Sequence, residues 1–191
     1  MLELVFATNN THKLEEVQAV VGGKFTIKSL ADIDCQDDIP ETGDTFADNA
    51  KQKTDYLVNK YGLYCFGDDS GLEIDALNGE PGVYSARYSG ARDMEKNIDL
   101  VLERLGDNPN RTARFRTVTS LYCNEQQHFF DGFIEGQIIK ERRGEKGFGY
   151  DPIFIPNGYD KTFAEMSAEE KNAISHRAIA VNKLADFLKN Y

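Results

Sequence analysis

"CFGDDSGLEID", residues 65–75, sets two adjacent carboxylates, Asp68 and Asp69, directly after a short apolar run. "LYCF" before them reads as a strand and "LEIDAL" after them as further extended chain, while Gly67, Ser70 and Gly71 are turn formers. Neighbouring side chains of a regular strand leave by opposite faces, so the two acids can aim at one point only if the strand has already broken into a turn. The expectation is a strand end and turn at the acids, with Glu73 and Asp75 as strand-face residues.

Outward from this stretch the chain alternates strands and helices. "LELVFA" (2–7) is a strand pattern, followed by "TNNTHKLEEVQAVVG", where Leu14, Val17, Val20 and Val21 recur at helical spacing and Gly22 supplies the stop. "FTIKSL" predicts a strand, and an acidic loop then leads into a helix over "DTFADNAKQKTDYLVNKYG". Thr45 is its cap, Gly62 its terminator, and Phe46, Ala50, Leu57 and Tyr61 its inner face. "NGEPGVYSARYSGAR" reads as an ordered loop, and "DMEKNIDLVLERLG" as an amphipathic helix with Ile98, Val101, Leu102 and Leu105 inward. "TARFRTVTSLYC" and "QHFFDGFIEGQIIK" predict a long antiparallel pair joined at "NEQQ". Ser167 and Glu170 form a capping box, and a last helix to about Lys189 buries Ala178, Val181, Leu184 and Leu188. The pattern predicts a mixed α/β fold, one domain over 1–191 with two lobes around a central cleft.

Composition narrows the function classes. With 32 acidic against 22 basic residues and a net charge of -10, the surface repels nucleic-acid backbones and anionic membranes. No apolar run reaches the ~18 residues that span a bilayer, and the amino terminus lacks a signal-peptide pattern, so a cytoplasmic location is expected. Cys35, Cys65 and Cys123 are odd in number and widely spaced, which suits reduced thiols better than a disulfide framework or a zinc site.

Five segments could carry chemistry. "ATNNTHK" (7–13) joins a strand to a helix, where unpaired N–H groups bind phosphate and Lys13 would add charge; an ordinary N-cap by Thr8, Asn10 or Thr11 is the plainer alternative. "ETGDTFADNAKQK" offers Glu41 and Lys53. Asp68 and Asp69 are compatible with solvated turn residues, an acid–base pair or Mg2+ ligands. Adjacent residues cannot readily straddle a sugar, which disfavours a glycosidase. "GFGYD" could stack Phe148 or Tyr150 on a flat heterocycle or plug the core, and "EEKNAISHR" gathers Lys171, Ser175, His176 and Arg177.

Taken in order, "ATNNTHK", "ETGDTFADNAKQK", "DDSGLEIDALNGEPGVYSARYSG", "GFGYDPIF" and "EEKNAISHR" resemble the inosine triphosphate pyrophosphatase family, also called Ham1-like, along nearly the whole chain. The resemblance implies an elongated mixed sheet with flanking helices, of the kind shared with Maf-like pyrophosphatases. It also implies a homodimer and Mg2+-dependent hydrolysis of ITP, dITP and XTP to monophosphate and pyrophosphate. On that basis Thr8, Asn9, Asn10, Thr11, His12 and Lys13 would hold the triphosphate with Lys53. Glu41, Asp68 and Asp69 would serve the metal, with Asp69 also the proton acceptor; strand alternation adds the expectation that the two acids have unequal jobs, Asp69 toward metal and attacking water and Asp68 supporting or coordinating from the other side. Ser70, Phe148, Gly149, Tyr150, Asp151, Lys171, His176 and Arg177 match substrate contacts. Many members carry Gly where Asn9 stands; if the backbone there needs a positive φ, Asn is the next most tolerant residue. Arg177, a donor-only group, is expected to accept a 6-keto purine and reject the 6-amino group of adenine. A Maf-like enzyme for other modified nucleotides and a non-catalytic nucleotide sensor are the alternatives, and a sensor would not need three carboxylates beside phosphate.

Overall fold

The computed structural model describes residues 3–21, 23 and 25–189. Leu2, the expected start of the first strand, and Gly22, the expected helix stop, lie outside the described residues. Strand β1 is Glu3–Phe6, helix α1 Thr11–Val21, β2 Thr26–Lys28, α2 Phe46–Tyr61 and β3 Cys65–Ile74. Next come α3 Met94–Leu105, β4 Thr112–Cys123, β5 Gln126–Ile138, β6 Phe154–Pro156, α4 Ala168–Ile174 and α5 His176–Lys189. The strands form one mixed sheet in the order β2-β1-β3-β4-β5-β6, with β1 parallel to both β2 and β3, and β5 antiparallel to β6. The chain divides into two compact units. The first takes the chain up to Asp69, Thr117–Gly132 and the chain from Arg177 on; the second takes Ser70–Arg116 and Phe133–His176.

In the first unit the period of two along β1 builds two hydrophobic layers. Leu4 and Phe6 join Val17, Val21, Phe66, Val181 and Leu184 on the side of α1 and α5, whereas Val5 and Ala7 join Leu57 and Cys65 on the side of α2. A parallel strand covered on both faces needs apolar residues at consecutive positions, which "LVFA" supplies. Phe6 and Phe66 are register partners of β1 and β3, and their rings stack at 4.5 Å. Helix α2 starts where expected: the Thr45 side chain accepts from the Asp48 amide, and Gly62 ends it at φ 65°. The second unit packs Leu72, Ile74, Ile98, Val101, Phe115, Phe154 and Phe163 into its own core.

Three local expectations are corrected. The strand does not break at the acids: β3 continues through Asp68, Asp69 and Ser70 to Ile74, and its glycine at 67 answers a close approach rather than a turn. A Cβ on Gly67 would stand 2.9 Å from Lys53 Cβ and 3.1 Å from Ala50 O, so α2 can lie this close only against glycine. Asp75 opens a 3-10 turn, Asp75–Leu77, instead of staying on the strand face. The β4–β5 connection is two residues rather than "NEQQ": Asn124 and Glu125 take φ 47° and 61°, the type I′ geometry that matches the twist of paired antiparallel strands. The capping box of Ser167 and Glu170 is present. Cys35, Cys65 and Cys123 are all buried free thiols.

Candidate active site

Because β3 stays regular, alternation assigns its acids to opposite layers. Phe66 and Asp68 face α1 and α5, while Cys65, Gly67 and Asp69 face α2. Asp68 is 2 % exposed and takes one cation per oxygen: Lys13 Nζ donates to Oδ1 at 3.0 Å and Arg177 Nε to Oδ2 at 3.2 Å. Burial alone would raise its pKa, but Lys13, Arg177 and Lys53 outweigh that and hold the carboxyl far below the usual range. Asp69, on the other layer, accepts from Asn49 Nδ2 at 2.8 Å. Here burial prevails over Lys53, Lys13 and Asn49, Glu41 adds repulsion, and the pKa is raised. Adjacent acids with pKa values driven apart are the arrangement that separates a fixed anion from a proton acceptor.

The cations come from the flanking helices. Thr8 Oγ1 accepts from the Asn10 amide at 3.1 Å, and Asn10 Oδ1 accepts from the Lys13 amide at 3.2 Å, so Asn10 is the cap of α1. Asn9 is not among the residues with positive φ; its side chain donates to Asp37 O at 3.3 Å, so asparagine there carries no backbone strain. Thr11 and His12 are exposed at the first turn. Lys13, one turn in, has its pKa lowered by burial, opposed by Asp68 and reinforced by Lys53 and Arg177. Lys53, 7 % exposed, reaches across Gly67, donates to Asp68 O at 2.7 Å and pairs with Glu41. Burial pushes the Glu41 carboxyl up, yet Lys53 and Lys13 bring it below the usual range.

The "EEKNAISHR" cluster is divided by the fold, with Lys171 and His176 in the second unit and Arg177 in the first. It is no surface patch: the three side chains are 6 %, 4 % and 1 % exposed. Arg177 also donates to Glu16 through Nη1, so the expected contact with a purine 6-keto group would require these carboxylates to be exchanged. In the second unit Asp151 closes its own loop: Oδ2 accepts from the Phe148 amide at 3.0 Å and from Lys171 Nζ at 2.7 Å. Lys171 Nζ lies 4.8 Å from the Phe148 ring centre. Gly149 takes φ 60°, and its amide donates to Met94 Sδ at 3.1 Å. Tyr150 offers no ring face, being 4 % exposed with its hydroxyl donating to Ser85 O at 2.7 Å; the core-plug alternative holds for this ring. His176 stacks on Phe115 at 4.9 Å, and Ser70 is half-buried on β3.

Sequence reasoning missed two residues, Asn49 and Glu16. Both had a signal: Asn49 is a polar residue on the α2 face that carries Phe46, Ala50 and Lys53, and Glu16 follows Lys13 by one turn. Among the described residues no group of three or more His, Cys, Asp or Glu gathers to hold a metal, and no helix is long and apolar enough to cross a membrane. Mg2+ does not ask for such a cage; it takes one or two carboxylates and completes its shell with water and phosphate. Glu41 and Asp69 supply hard oxygen donors whose charges repel one another, so that donor set fits a divalent cation. Asp68 faces the other layer and is held by Lys13 and Arg177.

A model of the Ham1 family matches residues 4–187. The dITP/XTP pyrophosphatase of Flavobacterium psychrophilum is 50% identical over 190 residues, covering 99% of this chain and 100% of that protein. A protein of the same name from Porphyromonas gingivalis is 52% identical over 190 residues, covering 98% of each chain. The solved structure of a HAM1 protein from Coxiella burnetii superposes with a TM-score of 0.91 at 40% identity, covering 100% of both chains.

Proposed function

The chain belongs to the Ham1 family, and on that premise we propose that it hydrolyses non-canonical purine nucleoside triphosphates, dITP, XTP and ITP, to the monophosphate and pyrophosphate. The observation that carries this is the pair on β3: Asp68 held between Lys13 and Arg177 on one layer, and Asp69, next in sequence, turned to the other layer with Asn49 donating to it.

In the reaction, water forms a bond to the α-phosphorus, the bond from that phosphorus to the bridging oxygen breaks, and pyrophosphate leaves. Asp69 accepts the proton of the attacking water. Lys13 and Lys53 attract the polyanionic tail, and the capped start of α1 orients its N–H groups toward phosphate. Glu41 and Asp69 would hold Mg2+, which when bound neutralises phosphate charge and supports ionisation of the attacking water. Asp68 holds Lys13 and Arg177 in place. Phe148 and Lys171 are read as base contacts, since a donor-only ammonium, once it exchanges Asp151 for the base, suits a 6-keto purine and opposes the 6-amino group of adenine.

A cytoplasmic homodimer completes the proposal. Three unlinked thiols support the location, and exposed Phe133 and Tyr159 of the second unit supply apolar surface for a second copy. Pyrophosphate release by the purified protein tests the activity. ITP, dITP and XTP should turn over far faster than ATP or GTP, and EDTA should abolish turnover. Equal rates on all purine triphosphates would reject the substrate class, undiminished turnover in EDTA would reject the metal, and a monomer mass by light scattering would reject the dimer.

A further inference from the structure

Asn49 sits inside α2 at 1 % exposure, where asparagine is a poor helix former and an amide must find partners. Both ends of its carboxamide are engaged: Oδ1 accepts from the Gly43 amide at 2.7 Å and Nδ2 donates to Asp69 Oδ2 at 2.8 Å. The orientation is dictated, because a flipped amide would set N–H against N–H at Gly43 and carbonyl against carboxylate at Asp69. The approach at Gly43 tolerates no side chain: a Cβ there would lie 2.5 Å from Asp48 Cβ and 3.0 Å from Asn49 Oδ1. Gly43 follows Glu41 by two residues, so one carboxamide ties the loop of one site carboxylate to the side chain of the other.

Resting on the assignment of Asp69 as proton acceptor, we propose that Asn49 is a positioning residue for the reaction, fixing the Asp69 carboxylate and the 41–43 loop in one register. A donor on Oδ2 restrains carboxylate rotation and keeps that oxygen an acceptor. The short side chain of Asn49, unlike that of Lys53, cannot stretch to follow a displaced partner.

Asn49→Ala, Asn49→Asp, Asp69→Asn and the double variant Asn49→Ala/Asp69→Asn are compared on ITP, with folding followed by circular dichroism. Asn49→Ala should lower kcat about 10–100-fold, the usual cost of losing a supporting hydrogen bond, while KM stays within about threefold. In the Asp69→Asn background the same substitution should leave kcat unchanged, because the group it positions has gone. Asn49→Asp keeps the shape and the acceptor for Gly43 but removes the donor, so it should reproduce the kcat loss even if the alanine variant fails to fold. Wild-type kcat in a folded Asn49→Asp, or a multiplicative loss in the double variant, overturns the positioning role. Wild-type activity in Asp69→Asn would instead remove Asp69 as the acceptor, a result that separates failure of the premise from failure of the inference.

Discussion

Gly67→Ala tests the close crossing of α2 over β3, on which both acids depend. The added Cβ would meet Lys53 Cβ at 2.9 Å and Ala50 O at 3.1 Å, atoms on or next to the helix backbone that cannot swing aside. Ordinary carbon contacts are about 3.5–4.0 Å, so helix and strand must separate by roughly 0.6 Å or more. The Asn49–Asp69 hydrogen bond, now 2.8 Å, would then stretch to about 3.4 Å, near the limit of such a bond. Overpacking of this kind costs about 1–3 kcal/mol. For a chain of this length each kcal/mol lowers Tm by about 2–4 °C, so scanning fluorimetry should register a fall of about 2–12 °C. Misplacement of the reacting groups should also reduce kcat for ITP by about 10–100-fold in a pyrophosphate-release assay. Unchanged Tm would refute the steric reasoning. A lowered Tm with wild-type kcat would refute the coupling of this crossing to the chemistry.

Asp69→Asn should raise Tm at neutral pH. A carboxyl whose folded pKa is raised destabilises the fold once pH exceeds its unfolded value, so the gain should vanish below the usual aspartate range; lower stability at pH 7 would contradict this. Asp68 has the opposite sign, giving stability that is present above its unfolded pKa and lost as pH falls through its depressed folded value. Arg177→Met removes one of its cations, so Asp68 should contribute less stability at neutral pH and the loss of stability on the acid side should be shallower, read by acid titration of circular dichroism. The same variant should slow ITP and ATP alike, whereas a selective gain on ATP would return Arg177 to reading the base. Thr45→Ala removes the cap of α2 and should cost about 1 kcal/mol in urea unfolding, with wild-type stability showing that another group satisfies the Asp48 amide.

Sequence alone determined the succession of elements, because hydrophobic period, caps and breakers are local. Thr45 and Gly62 bound α2, Ser167 and Glu170 open α4, and the unbroken apolar run "LVFA" marks a strand covered on both faces. It also carried the ordered motifs on which the resemblance rests, and a model of the Ham1 family matches residues 4–187. What it could not decide depended on close approaches between distant segments. "GDDSG" has turn composition, and only the packing of α2 on Gly67 shows it to be continuous strand. Once β3 is continuous, alternation sends Asp68 to Lys13 and Arg177, the latter 109 residues away, and Asp69 to Asn49. The opposite pKa shifts of two identical neighbouring side chains are thus a tertiary property: the sequence supplies the acids, and the two helix layers supply the different fields around them.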